Sequence, residues 1–326
     1  MSTEQLKMNP QTPSKSTVFE PVAMWARVPH GITFGGDATS VAIDSHDRVH
    51  VFNRGNTPVV VFDRNGNFID GWGQGEFVRP HAIAFDHDDN MYFVDDYGHF
   101  VQKRKPNREI VFTLGDRGKP AQWQGGGMFN RPTGIAISNS TGDLFVSDGY
   151  GNSRVHRFDS SGKHIKSWGE PGSGPGQFSL PHNICMWDEE RVVVCDRENF
   201  RVQVFTIDGE FIEQWHVHHP MSICAGIGDD LGFYVGEMGP PPVQVGVPGL
   251  GNRVSVFDRS GNIVTHFGDD LPGQAPNQFI APHGIAIDSH GDVYVAEVSW
   301  THWFSKQQAL PVGEVVSLRK WQRMSK

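Results

Sequence analysis

No apolar run in this 326-residue chain approaches the roughly 20 residues that a helix needs to span a bilayer. Mean hydropathy is −0.40, so a membrane-embedded class is set aside. Positive charge is short as well, with 28 Lys and Arg against 37 Asp and Glu, a net −9. Nucleic-acid binding normally needs a basic face, so neither a nucleic-acid nor a membrane partner is expected. Cysteine is scarce. Cys185, Cys195 and Cys224 are an odd set without CxxC spacing, which excludes a disulfide framework and a thiolate zinc site. Reduced, buried thiols are expected, although Cys185 and Cys195 are spaced to face each other across a hairpin. The opening "MSTEQLKMNPQTPSK" lacks the apolar core of a secretory signal. It reads as a flexible polar leader, residues 1–15, on a cytoplasmic protein.

Helical periodicity is also missing. Short runs rich in Val, Ile and Phe recur instead, separated by Asp-Gly, Asn-Gly and Ser-Gly turns. Six related units start near 39, 80, 132, 181, 220 and 282, for example "PTGIAISNSTGDLFVSDGYGNSR" and "PHGIAIDSHGDVYVAEVSW". Each continues into a third strand such as "RVHRFDSSGK" and most into a fourth ending in Trp or Phe and Gly. Units of about 35–50 residues with four strands are propeller blades. The predicted fold is therefore an all-β, six-bladed propeller, one domain over 16–326. The sixth unit lacks an outer strand, and "STVFEPVAMWARV" has the look of one, so an N-terminal strand is predicted to close the ring. The Gly/Pro-rich stretch 238–251 is an insertion in blade five, placed at one face as a rim or lid.

Three units begin with Pro-His: His81, His182 and His283, in blades two, four and six. Blades one, three and five hold Thr39 or Ser40, Thr133 and Met221 in that slot. Alternate blades of a six-fold ring lie about 120° apart, so the three imidazoles are predicted to meet on the axis. Three nitrogens from three sides leave a coordination position open, the pattern of a catalytic Zn²⁺ site, with Fe²⁺ or Mn²⁺ as alternatives. His30 resembles the motif but lies outside the register, and the cluster His216, His218, His219 reads as peripheral.

The ends of the second strands open onto the same face. Asp96, Asp148 and Asp196 there are expected to hold backbone amides of the following turns. Arg54, Tyr150 and Arg197 are larger and costly to bury without a use. Two arginines near a metal point to a carboxylate-bearing small-molecule substrate. A tyrosine there can serve as general acid or base.

The strings "SDGYGNSR" and "DRENFR", within a dense stretch from Arg131 to Phe205, resemble the peptidyl-α-hydroxyglycine α-amidating lyase family of NHL-repeat propellers. The resemblance implies zinc ligands at His81, His182 and His283, a catalytic tyrosine at Tyr150, and active-site arginines at Arg197 and, on a shorter match, Arg54. It also implies a structural Ca²⁺ beside the third histidine. Here that position is Gly284 rather than an acidic residue, so a calcium is not expected with the same ligands. The family works in the secretory pathway, which this leader does not match. The expected activity is a metal-dependent lyase that cleaves the C–N bond of a carbinolamide, an α-hydroxyglycine type bearing a carboxylate, and releases glyoxylate or a related carbonyl. Two other readings stand beside it: a metal-dependent hydrolase or hydratase of a small lactone, ester or hydroxy acid, and a non-catalytic NHL binding platform.

Overall fold

The computed structural model describes residues 18–227, 232–244, 247–303 and 313–324. Six four-stranded antiparallel sheets form the blades of a ring. The inner strands are Ala38–Ile43, Pro80–Phe85, Pro132–Ile137, Pro181–Met186, Pro220–Ala225 and Pro282–Ile287. In five blades the chain runs outward strand by strand. The sixth is completed by Val18–Val22, which pairs with Leu318–Met324 from Val18↔Met324 to Val22↔Lys320. The ring is thus closed by joining the two ends of the chain, and the outermost backbone of blade six has a partner.

Local chemistry sets the outer hairpins. In "DRNGN", "DSSGK" and "DRSGN" the leading aspartate accepts two backbone N–H groups, as Asp159 does from Ser161 at 2.9 Å and Lys163 at 3.0 Å. Gly162 then takes φ +87°, which a side chain would resist. Between each pair of neighbouring blades lies one apolar cluster. That of blades one and two contains Phe52, Trp72 and Phe93, with ring centroids 5.2–5.5 Å apart. Burying such side chains contributes about 1.5–3 kcal/mol each, so the ring is held chiefly by six inter-blade seams.

Helix is confined, among the described residues, to Ser299–His302 and two 3₁₀ turns, Arg197–Asn199 and Pro242–Gln244. The predicted leader lies outside the described residues, as do 245–246 of the insertion. The thiols do not face each other: the hairpin register sets Cys195 opposite Asn183 and Cys185 opposite Val193. All three are free, and burial pushes the Cys224 thiol up to about 12.

Candidate metal centre and active site

Every inner strand carries the same irregularity at its second residue. Pro80 pairs with Asp95 and Ala82 with Val94, leaving His81 as the bulged residue between them. The same shift isolates Thr39, Thr133, His182, Met221 and His283. A bulge frees a residue from the ladder and turns its side chain out of the pleat. Here it turns three histidines into the axial channel. Their freed backbone neighbours then hold them: His81 Nδ1 donates to the Thr133 carbonyl at 2.6 Å, His182 Nδ1 to Met221 at 2.5 Å and His283 Nδ1 to Thr39 at 2.7 Å. Each acceptor is the bulged residue of the next blade. A carbonyl can only accept, so Nδ1 carries the proton in all three rings and Nε2 keeps its lone pair.

The three rings sit edge to face with centroids 4.7–5.0 Å apart, and their ligating nitrogens lie within 4.8 Å of one another. All three are buried. Burial and the neighbouring cations push their pKa values down: His81 through burial and the other two histidines, His182 through burial and Arg197, and His283 to about 3 through burial and Arg54. The donor set is neutral imidazole with converging lone pairs, each ring already oriented by a backbone carbonyl at Nδ1, which fits a divalent metal of the zinc type.

Tyr150 lies on one side of this cluster. Its hydroxyl is 3.2 Å from His81 Nε2 and 3.1 Å from His182 Nε2. Gly149 makes that placement achievable, because a Cβ there would meet the Pro181 carbonyl oxygen at 2.0 Å. Arg197 approaches the Tyr150 ring at 5.8 Å, and its Nε donates to Glu198 at 2.8 Å. Arg54 donates to the Pro80 carbonyl at 3.3 Å and to Asp37 at 3.4 Å. Thr301 fixes the other oxygen of Asp37 through its backbone N–H at 3.0 Å. Arg54, Tyr150 and Arg197 are therefore brought to the same face as the three histidines. A cleft of about 420 Å³ opens beside Tyr150 between blades three and four, bordered by Leu180, Glu198 and Asn199.

The aspartates divide differently from the expectation. Asp148 and Asp196 accept backbone N–H groups that lie ahead of the inner strands, from Asn130 at 3.1 Å and Ser179 at 2.7 Å, and only side-chain amides, of Asn152 and Asn199, from the turns that follow them. In blade two that role falls to Asp95, which binds the amides of Val78, Arg79 and Gly98. Asp96 holds the first amide of the turn that follows it, Tyr97 N–H at 2.8 Å, and its other oxygen pairs with Arg79 and Arg131, each at 2.9 Å. His219 is not peripheral either. It begins blade five's entry, stacks on Phe200 and reaches Glu198 at 3.2 Å, so it supports the carboxylate that holds Arg197. Gly284 packs against blade one, where any Cβ would lie 2.6 Å from the Ser40 Cα; no side chain fits there to serve a cation. Arg79, Arg131 and His219 occupy one register slot, the residue before the inner-strand proline, and comparing that slot across units would have found them.

Fold and site together define a six-bladed propeller with a three-histidine centre on its axis. The NHL repeat family model matches residues 129–158, 178–205 and 279–306. Within that class the chain is similar, over most of its length, to the peptidyl-α-hydroxyglycine α-amidating lyases. It is 32% identical over 254 residues to peptidyl-alpha-hydroxyglycine alpha-amidating lyase 1 of Drosophila melanogaster, covering 70% of this chain and 44% of that one. It is 31% identical over 296 residues to peptidylglycine alpha-amidating monooxygenase of Rattus norvegicus, covering 80% of this chain and 29% of that one. The chain thus spans less than half the length of either relative. A solved streptogramin B lyase superposes with a TM-score of 0.61 over 95% of this chain and 100% of that one, at 12% identity, a likeness of fold alone.

Proposed function

We propose that this protein is a metal-dependent lyase acting on carbinolamides of the α-hydroxyglycine type. The observation that carries the reading is the convergence of three neutral, buried Nε2 lone pairs beside a tyrosine hydroxyl. Three buried Nε2 lone pairs converge with a single hydroxyl proton, that of Tyr150, within reach, a loss of hydration that disfavours a purely structural role and a passive binding platform. His81, His182 and His283 would hold the ion, zinc in the first instance, which would supply Lewis acidity toward the substrate hydroxyl.

The rest of the chemistry belongs to side chains of the chain. Tyr150 takes or relays the proton leaving the carbinol oxygen, from a position within hydrogen-bond reach of two ring nitrogens. The electron pair of that O–H bond becomes the carbonyl as the C–N bond breaks. The departing nitrogen receives a proton, and an α-hydroxyglycine substrate yields glyoxylate and an amide. Arg54 and Arg197, each 13% exposed, bind the α-carboxylate and offset charge that builds during the step. No helix among the described residues is long and apolar enough to cross a membrane.

The test is elemental analysis joined to a glyoxylate assay with N-acyl-α-hydroxyglycines. About one metal ion per chain is expected, lost in His182→Ala, together with glyoxylate release. Tyr150→Phe should keep the metal and lower kcat by about 10²-fold. Wild-type protein that takes up no metal on reconstitution, or loaded protein that releases no glyoxylate, would overturn the proposal.

A further inference from the structure

The rim around the three histidines is electrostatically lopsided. The residue before each inner strand and the turn that follows each second strand form one ring. In blades one to four it carries Asp37 with Arg54, Arg79 with Asp96, Arg131 beside Tyr150, and Arg197 with Glu198. In blades five and six it carries the apolar Met238, Ala281 and Val298, together with His219, which is held on Glu198 at 3.2 Å. Four guanidiniums therefore face three carboxylates. The deficit is local. Arg54 has Asp37 and Arg197 has Glu198, but Arg79 and Arg131 share the single oxygen Oδ2 of Asp96, each at 2.9 Å.

Asp96 has nothing more to give. It is 0% exposed, and its other oxygen accepts the Tyr97 amide at 2.8 Å. Arg131 is clamped between two aromatic faces, 4.3 Å from the Tyr97 ring and 4.3 Å from the Tyr150 ring, with its backbone N–H on His99 at 3.1 Å. Its Nε is buried and has no hydrogen-bond partner. Arg79 lies 4.9 Å from the same Tyr97 ring. Arg79 also repels Arg54, whose pKa is lowered first by burial and then by that neighbour. A donor-rich pair only 24% and 22% exposed, with one uncompensated charge, is costly unless an anion completes it.

The geometry points to a second anion subsite on the blade-two and blade-three side of the centre, built by Arg79 and Arg131 on the Asp96 and Tyr97 platform. Its ligand is a carboxylate at the far end of the substrate's acyl arm, so the preferred substrate is a dianion. Arg54 and Arg197 take the α-carboxylate, Arg79 and Arg131 the distal one, and the scissile C–N bond lies between them beside Tyr150. This rests on the lyase reading for the first carboxylate, but the second subsite follows from the charge deficit alone.

The experiment compares N-succinyl- and N-glutaryl-α-hydroxyglycine with their terminal carboxamides, which match in shape and lack the charge. In zinc-loaded wild type kcat/KM for the acids should exceed that for the amides by at least about tenfold, the effect of one charged hydrogen bond. Arg79→Gln should bring the ratio to within about twofold of unity, and Arg79→Lys should leave it intermediate, which guards against a folding defect in the first variant. Glutarate and glutaramate are tested in parallel as thermal-shift ligands of the same loaded proteins, with glutarate expected to stabilise wild type more strongly and Arg79→Gln equally weakly. Equal turnover of acids and amides in wild type overturns the subsite. An Arg79→Gln loss of equal size on both substrates overturns it too, since Arg79 would then hold the α-carboxylate. If no hydroxyglycine is turned over and glutarate still binds through Arg79, the lyase reading fails and the subsite stands.

Discussion

At the scale of single residues, the site is decided by which atom each polar group leaves free. The three histidines illustrate this: spending Nδ1 on a carbonyl commits Nε2 to the axis. The same logic extends to Arg197. Glu198 accepts from Arg197 at 2.8 Å on one oxygen and from His219 at 3.2 Å on the other. The hydrogen bond from His219 is the largest single cause that holds the Glu198 carboxyl down to about 2. Because the value is depressed, the carboxylate is in place at every pH above the ordinary 4.5 and is lost only as pH falls toward 2. Glu198 is thus a positioning residue for the carboxylate clamp. Glu198→Gln should raise KM by roughly tenfold and change kcat by less than about threefold. Wild-type KM should carry no Glu198-linked titration between pH 5 and 8. Steady-state kinetics across that range checks both points, and a fall confined to kcat would remove Glu198 from substrate binding.

At the scale of elements, the working unit is the second residue of each inner strand together with the turn that ends the second strand. Six equal bulges are used in two ways: alternate blades present an imidazole, and the blades between them present the carbonyl that orients it. A three-histidine centre is therefore a property of pairs of blades. The turn after Asp148 has little room, since a Cβ on Gly149 would meet the Pro181 carbonyl oxygen at 2.0 Å. Gly149→Ala must push blade three's turn away from blade four and take Tyr150 off the two histidines. The expected result is a stability loss of about 1–3 kcal/mol with a fall in kcat similar to that of Tyr150→Phe. Thermal melting and the glyoxylate assay measure the two effects. A variant with unchanged melting and activity would show that Tyr150 does not depend on this close approach.

At the scale of the whole molecule, closure matters most. Among the described residues Val18–Val22 is the only outer strand that comes from the far end of the chain, and Phe19 sits in the apolar seam between blades five and six with Phe267 and Trp321. Removing residues 1–22 would leave Leu318–Met324 as an open edge and uncover that seam. The truncated chain should melt at least about 10 °C lower and aggregate with rising concentration. Calorimetry and light scattering read this directly. Because the three histidines come from blades two, four and six, metal uptake should weaken in step with ring opening even though no ligand is removed.

Repetition made much of this molecule readable as a sequence. The period of the apolar runs, the Asp-x-x-Gly hairpins and the recurring Pro-His pairs depend on local backbone chemistry, so six blades, the closing strand and the gathering of His81, His182, His283, Tyr150, Arg54 and Arg197 on one face followed without coordinates. What depends on contact between blades did not. The assignment of the amides ahead of the inner strand to Asp95, with Asp96 left for Tyr97 and two arginines, turns on a one-residue shift at a strand end. The inward place of His219 turns on Glu198 arriving from the neighbouring blade. Arg79 and Arg131 sharing one carboxylate, and Gly284 closed off by blade one, likewise arise where two blades meet. A repeat announces each blade's own geometry in its own residues. Which charges are left over is settled only when the ring closes and neighbouring blades place their side chains in the same low-dielectric space.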